Sequence, residues 1–579
     1  MSEIAVGSYL FERLKQLGAK SVFGVPGDYE LVLLDLVPGA GLTWRGNPNE
    51  LNAGKLPRTP SIIPPTGYAA DGYARVNGVG AVVTTFGPGE LSNMCGIAGA
   101  YCEFVPVVHI VGYPTEAAQH GKNIMHHSLG EVGDGKFDVY HEMSKHITCA
   151  TTILHDPKTA ATDIDKVLNT MLLYSQPVYI GLPTDIALQP TPAINLDFPL
   201  ATTLPPNNPS LQSHVVQLIR EMLDTSKFPT IIIDGGATRH RVISEAEALV
   251  KETNYPYFVT SMSKGAVLEN LPTFGGVYGG SSSLPDVKEA AEKSDCVLFI
   301  GNYPSDFNTG EFSEAIKEEA IVDFQRFYVK VGGVRYDVKM KYVLQALLDD
   351  LKSTPLNIKS QPLTWKPYIS SPPRKEMLSQ DYLWAALGPY FRDGDFVIAE
   401  TGTSAFGIPA SSLQHASNVQ MFNQTVFGSI GYATGAAVGA FVAGKELGTI
   451  KRNILITGEG SLQLTVQAFS DLLRHEVQPT IFLLNNNGYT IERLIHGWTA
   501  PYNDVPKWDY GALLQAFGPD FKTKHYLVKM PDELDKLLAD EEFNEAKYAQ
   551  IVELILDMHD APKSVVMTTA AVEAFNRKK

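Results

Sequence analysis

Short, nearly continuous apolar runs recur along the chain, at Ala81 to Phe86, Val105 to Val111 and Val178 to Leu182, and stretches with helical spacing lie between them. Strands buried on both faces read in this way, so the pattern predicts parallel sheets covered by helices. Val6, Leu10, Leu14 and Leu17 share one face of a predicted N-terminal helix that stops at Gly18. Leu42 to Arg45, Thr230 to Ile233, Cys296 to Ile300, Phe396 to Ala399, Asn453 to Thr457 and Pro479 to Leu484 add further strands. Prolines cluster at 190, 192, 199, 205, 206 and 209, and again at 355, 362, 367, 372 and 373, where they mark linkers. The expectation is an α/β protein of three doubly wound parallel-sheet domains, spanning 1–190, 191–370 and 371–579. The chain shows no short repeat and no low-complexity tract.

At 579 residues the chain exceeds what one hydrophobic core serves, which agrees with several domains. An apolar content of 44% and a charged content of 19% are those of an ordinary globular protein. The net charge of −16 disfavours nucleic acid or an anionic membrane as partner, because phosphate would be repelled. Cys95, Cys102, Cys149 and Cys296 form no C-x-x-C pair, so neither zinc nor a disulfide framework is indicated, and a reducing compartment fits. The Ala/Gly-rich segment from Gly431 to Gly444 is too short to span a bilayer, and the early helix leaves no room for a signal peptide. A cytoplasmic location is expected.

Candidate chemistry concentrates in two loops. Gly458-Glu459-Gly460-Ser461 follows one apolar strand, and Asn485-Asn486-Asn487-Gly488-Tyr489 follows the next, so both emerge at the carboxyl edge of one sheet. Ser461 is expected to open a helix whose N–H groups and positive dipole end face an anion. Mg²⁺ takes oxygen ligands in an octahedron and shares them with phosphates. The Glu459 carboxylate, the Asn486 side-chain oxygen and the Gly488 carbonyl are the predicted ligands.

The stretch GEGSLQLTVQAFSDLLRHEVQPTIFLLNNNGYTIERLIHG resembles the signature of the thiamine diphosphate dependent 2-oxo acid decarboxylases, in which GDG is followed by a helix, a strand and NN. FGVPGDYELVLLD, GNPNELNAG, MHHSLG, ITCAT, AETGTSAFGI and VFGSIGYATGAAVGA extend the resemblance over the chain, with fungal-type pyruvate decarboxylases the nearest group. The resemblance implies pyrimidine-binding, central and diphosphate-binding domains in that order, thiamine diphosphate and Mg²⁺ as cofactors, and a site shared between two copies. A homodimer is then the minimum, and a homotetramer of two dimers is expected. By the same resemblance Glu50 drives the aminopyrimidine toward the tautomer that deprotonates the thiazolium carbon to an ylide. The Gly428 carbonyl accepts from the pyrimidine amine, Ile430 wedges between the rings beside Ser429, and Thr403 lies by the diphosphate. Gly460, Ser461, Asn486, Asn487, Gly488, Tyr489, Thr490 and Ile491 complete the cofactor set.

The resemblance assigns catalysis to Asp28, the pair His126-His127, and Glu492. Glu492 serves decarboxylation and the relay that protonates the enamine, while Asp28 and His127 deliver a proton and release product. His126 supports the relay. Adjacent side chains of a His pair are expected to diverge, which makes one of the two structural. Asp28, His127, Thr401, Ile491, Glu492 and Ile495 are the expected substrate contacts. Bulk at Ile491 and Ile495 leaves room for a methyl group, so the expected reaction is non-oxidative decarboxylation of pyruvate to acetaldehyde and CO₂, a carbon–carbon lyase step. Phenylpyruvate, indolepyruvate and branched-chain 2-oxo acids are the alternative substrates.

The chain departs from the family pattern in four places. Glu459 stands where the family has Asp. KLPRTPSIIPPTG, residues 55 to 67, interrupts NELNA and GYAADGYAR. Its four prolines cannot sit inside a helix, at about 3 kcal/mol or more each, so the segment is expected to loop out. Removing it restores an unbroken motif, and Gly54-Lys55 can be encoded with a typical intron start. The segment is therefore expected to be translated intron; if it is genuine, a cofactor-binding paralogue with a displaced Glu50 is the alternative. Gly235 to His240 lacks the cysteine of substrate-activated relatives, and the loop from Gly130 to Met143 is longer than usual.

Overall fold

The computed structural model describes residues 2–47, 67–131, 134–356, 363–369 and 371–569. Glu50 and all of the 55–67 segment except Gly67 lie outside the described residues.

The N-terminal domain begins with β1 (Glu3–Ala5), which pairs antiparallel with β8 (Pro190–Pro192). A short strand thus precedes the amphipathic helix α1 (Val6–Gln16), a correction to the expectation that the chain enters the helix directly. Pro190 and Pro192 lie in this two-stranded edge ribbon, where a missing N–H is tolerated. The main sheet comprises β2 (Ser21–Gly24), β3 (Thr43–Gly46), β4 (Gly80–Thr85), β5 (Val107–Tyr113), β6 (Ala150–Ile153) and β7 (Val178–Pro183). All pairings are parallel, in the order β3-β2-β4-β5-β7-β6. Val6, Leu10 and Leu14 of α1 enter the core on one face, as the spacing requires.

The central sheet contains β9 (Pro229–Ile233), β10 (Tyr257–Val259), β11 (Phe274–Val277), β12 (Cys296–Ile300), β13 (Ile321–Phe324), β14 (Val329–Val331) and β15 (Val334–Tyr336). Its order is β11-β10-β9-β12-β13-β14-β15. The last two pairings, β13–β14 and β14–β15, are antiparallel, so this sheet is mixed at one edge and not wholly parallel as expected. The turn at Gly332-Gly333 is too short for a helical crossover and forces a hairpin.

The C-terminal sheet contains β16 (Asp395–Ala399), β17 (Gln420–Phe422), β18 (Arg452–Gly458), β19 (Pro479–Asn485), β20 (Thr523–Val528) and β21 (Ala549–Ile555). It is fully parallel, in the order β17-β16-β18-β19-β21-β20. Counted within each domain, this is the same permutation as in the first domain. The repeat is one of topology, and no sequence repeat announces it.

The outer domains join through two helices, α2 (Gly67–Asn77) and α4 (Tyr432–Leu447); α3 (Pro88–Cys102) packs beside α2. A Cβ on Gly439 would sit 1.7 Å from the Ala69 carbonyl oxygen, and one on Gly72 would sit 2.0 Å from that of Ala436. The backbones therefore touch, which only glycine at the crossing permits. One core cluster runs across the junction, with Phe23, Tyr73 and Val82 on one side and Phe396, Phe441 and Leu455 on the other.

Candidate active site

In an open α/β sheet the ligand crevice lies outside the carboxyl ends of the strands where the strand order reverses. That point falls between β16 and β18 in the C-terminal domain and between β2 and β4 in the N-terminal domain. Each crevice holds one group of the predicted residues.

The C-terminal crevice is a cleft of about 370 Å³. It brings together Thr401, Thr403, Gly428, Ile430, Glu459, Gly460, Ser461, Asn486, Gly488, Tyr489, Thr490, Ile491 and Glu492. Glu459 opens the helix α5 (Glu459–Thr465), so this helix starts two residues before the predicted Ser461. The Glu459 carboxylate, 3% exposed, accepts from the Gly488 N–H at 2.7 Å. Asn486 donates to the Thr490 hydroxyl at 2.7 Å. Its other amide end lies 2.8 Å from the Gly488 carbonyl oxygen and 3.2 Å from Glu459 Oε1.

Three groups therefore converge on one point. With an amide oxygen inward, they form a cluster of oxygens that needs a cation; with the amide NH₂ inward, the cluster satisfies itself by hydrogen bonds. Adjacent oxygens on a Mg²⁺ octahedron are about 3.0 Å apart, from metal–oxygen distances of about 2.0–2.1 Å, and the observed separations bracket that edge. The donor set fits Mg²⁺. Burial pushes Glu459 up to about 7, opposed by the N–H groups it accepts from. A bound cation would hold it ionised.

The Asn-rich loop is fixed from beneath by a residue outside the predicted set. Arg493, 1% exposed, donates from Nη2 to the Asn487 carbonyl at 2.9 Å and to Asp504 at 2.6 Å. The Tyr489 N–H donates to the Asn503 carbonyl at 2.9 Å. Helix α6 (Thr490–His496) then carries Ile491 and Glu492 along the cleft. Ile495, one turn further, is half-exposed and does not line the cleft; Asn487 is exposed beside it. Ser429 faces inward, bonded to Tyr68 at 2.6 Å across the domain junction. Phe307, from the central domain, and Phe406 also line the cleft. The RLIHG and DFNTG segments give no local signal for these supporting roles, since each depends on partners far along the chain.

The N-terminal crevice gathers Asp28, His126 and His127, whose ligating atoms lie within 4.8 Å of one another. Asp28 Oδ2 is 2.8 Å from His126 Nε2, and both side chains are about half-exposed, at 56% and 52%. Tyr29 stacks on His126 at 4.7 Å, with its hydroxyl 3.1 Å from Nδ1. The two imidazoles converge, with centroids 4.6 Å apart, and do not diverge as expected. His127 adopts φ 70°, and that left-handed turn swings consecutive side chains to one side. Burial, and then the charge of His126, hold His127 below the ordinary imidazole range, while Asp28 acts in the opposite sense.

Beneath His127 lies the turn at Gly87, φ 82°, where a Cβ would come within 2.7 Å of the His127 Cβ. The Gly87 N–H donates to Glu90 at 2.8 Å. Glu90 also accepts from Tyr179 at 2.8 Å, and Tyr179 meets Tyr113 at 2.7 Å. The carboxyl is fully buried and burial pushes it up to about 7. Tyr140 donates to the His127 carbonyl at 2.8 Å.

Comparison with known proteins identifies the three domains. The thiamine pyrophosphate enzyme N-terminal TPP-binding domain matches residues 64–137, the central domain matches 216–351, and the C-terminal TPP-binding domain matches 401–550. The chain is 42% identical over 581 residues to a pyruvate decarboxylase of Candida glabrata, and likewise 42% to pyruvate decarboxylase isozyme 3 of Saccharomyces cerevisiae, with all of both chains covered in each case. It is 44% identical to a pyruvate decarboxylase of Aspergillus terreus, covering 99% of this chain and 98% of that one. With three domain matches and full-length relatives at 42–44% identity, and with a buried carboxylate–amide–carbonyl cluster at the sheet's switch point, this chain belongs to the thiamine pyrophosphate enzyme family, among the pyruvate decarboxylases.

Proposed function

We propose that this protein decarboxylates pyruvate to acetaldehyde and CO₂ with thiamine diphosphate and Mg²⁺. The convergence of Glu459, Asn486 and Gly488, buried within the C-terminal crevice, carries the reading. These three groups would hold the metal, and the first turn of α5, with Gly460 and Ser461, would offer N–H groups to the diphosphate. Thiamine diphosphate, when bound, supplies a nucleophilic ring carbon and takes up the electron pair left as CO₂ departs. Gly428 and Ile430 would orient its ring end, and Glu50, by the family resemblance, would hydrogen-bond the pyrimidine ring nitrogen and favour the imino tautomer. Ile491 narrows the space for the substrate side chain, which favours a methyl group. Glu492 lines the same cleft, where it would disfavour the substrate carboxylate and then hold a proton for the product carbon. Asp28, His126 and His127 relay that proton and assist release.

Each crevice is open in a single chain, and the acid–imidazole cluster lines no part of the cofactor cleft. Two copies that place one crevice against the other would close both. A homodimer is the minimum for this arrangement, and a homotetramer in the cytoplasm is its proposed working form, with domains at 1–190, 191–370 and 371–579. Mixing an Asp28→Ala chain with a Glu492→Gln chain tests it: random pairing rebuilds about one quarter of the sites intact. Acetaldehyde production restored on mixing supports a shared site, and none at all overturns it. Steady-state rates with pyruvate, phenylpyruvate and indolepyruvate rank the substrates, and pyruvate is expected to give the highest kcat/KM. Transcript sequencing decides the 55–67 segment: a message without it is expected, and an abundant message that keeps it makes the paralogue reading the stronger one.

A further inference from the structure

Glu400 follows β16 and is fully buried between two walls of the cofactor cleft. One carboxylate oxygen accepts from the Thr401 N–H at 3.0 Å, the other from the Ala433 N–H at 3.1 Å, and the Gly431 N–H also bonds to the group. Gly431 is the N-cap of α4, at φ 87°, and has no side chain with which to cap the helix. A Cβ there would meet Thr465 Cγ2 at 3.0 Å and the Ser461 carbonyl at 3.2 Å, so a local capping side chain has no room. Glu400 performs that function from thirty-one residues earlier in the chain, satisfying N–H groups that would otherwise be orphaned at the helix start.

The location makes this more than a cap. Thr401, Gly402 and Thr403 line one wall of the cleft, and Gly428 and Ile430 line another. Glu400 binds the first residue of one segment and the helix start that ends the other. Burying a carboxyl is costly unless hydrogen bonds meet it, and here burial raises its pKa to about 8 even against backbone donors. A group held in so unfavourable a place fixes a distance that packing of apolar side chains alone would leave adjustable. Gln424 adds a second tie between the same walls, accepting from the Ser429 N–H at 2.9 Å through its side chain and from the Thr401 hydroxyl at 3.3 Å through its carbonyl.

We propose that Glu400 is a positioning residue that clamps the 401–403 wall to the 428–430 wall and so sets the span available to thiamine diphosphate between its diphosphate and ring ends. The inference rests on reading this cleft as the thiamine diphosphate site. It touches neither the metal ligands nor the acid–imidazole cluster.

The test compares Glu400→Ala, which removes both acceptors, with Glu400→Gln, which keeps one. Titration calorimetry with thiamine diphosphate at saturating Mg²⁺ is expected to show affinity at least tenfold weaker for the alanine variant and about threefold weaker for the glutamine variant. At saturating cofactor, kcat is expected to stay within about threefold of the parent, a split that a generally damaged fold would not give. Amide exchange at Gly431 and Ala433 is expected to accelerate in both variants. If the alanine variant fails to fold, the glutamine variant carries the test. Parental affinity within twofold, or kcat that collapses while cofactor affinity is unchanged, overturns the proposal. Failure of the unaltered protein to bind thiamine diphosphate overturns the reading of the cleft instead.

Discussion

The two outer domains have one strand permutation and place a candidate half-site at the same topological position, yet the half-sites differ in nearly every physical respect. In the C-terminal crevice the proposed metal end is buried: Glu459, Asn486 and Thr490 are shielded, and the Gly488 N–H bears on the carboxylate. In the N-terminal crevice Asp28 and His126 are about half-exposed and meet each other side chain to side chain. Topology thus decides where a crevice forms, and the residues at the strand ends decide what it does. A buried, rigid cleft suits a tightly held metal and diphosphate, where desolvation strengthens each contact. A wet cluster of imidazole and carboxyl suits groups that must exchange protons. The two halves share one device, a fully buried glutamate behind a loop of the crevice: Glu400 behind the 428–430 wall, and Glu90 under His127.

The sharpest way to break the contrast is to remove one acidic group from each half. Glu459→Ala is expected to weaken Mg²⁺-dependent cofactor binding at least 100-fold, about 2.8 kcal/mol. Asp28→Ala is expected to leave that binding within about twofold while lowering kcat about 100-fold or more. Calorimetry and steady-state rates on both variants check the pair, and equal effects on binding would erase the distinction. Glu492→Gln belongs to the cleft by position but is expected to behave like the wet half, with cofactor affinity spared and CO₂ release slowed about 100-fold; undiminished turnover would contradict its role.

Gly87→Ala tests whether the exposed half depends on a rigid base. The positive φ and the 2.7 Å approach to His127 predict about 1–2 kcal/mol of lost stability and a fall in kcat of about tenfold, with cofactor binding unchanged. Denaturant midpoints and kinetics read both quantities. The smallest effect concerns Glu90, which burial raises from 4.5 to about 7. Between those values the folded protein holds a proton that the unfolded chain has released, so its stability falls as pH rises. Glu90→Gln removes that slope. Melting temperatures measured from about pH 5 to 8 are expected to drift in the variant's favour as pH increases, and a constant difference would exclude the linkage.

Much of this architecture was legible along the chain. The apolar runs from Asn453 and Pro479 became adjacent parallel strands, and the two loops after them meet as their positions implied. Glu459, Asn486 and Gly488 could be nominated together because their loops follow neighbouring strands, and the structure brings the three groups into contact. The convergence of His126 and His127 was not legible, because it depends on the left-handed backbone of His127 against the Gly87 turn, contributed by a different strand. Arg493 and Phe307 escaped for the same reason: a charged residue on a helix and a phenylalanine in a loop have no local mark of the partners they find.

The residue pattern by itself determined the α/β class, the sites of the strands and the placing of the 458–461 and 485–489 loops at neighbouring strand ends, because hydrophobic periodicity and short-range backbone geometry act over a few residues. The tertiary structure alone decided that two domains repeat one strand order, that α2 and α4 touch through Gly72 and Gly439, and that Glu400 caps a helix whose N-cap lies thirty-one residues later. Those facts arise from contacts between segments far apart in sequence, where packing and the need to satisfy buried N–H groups, not local propensity, choose the partner.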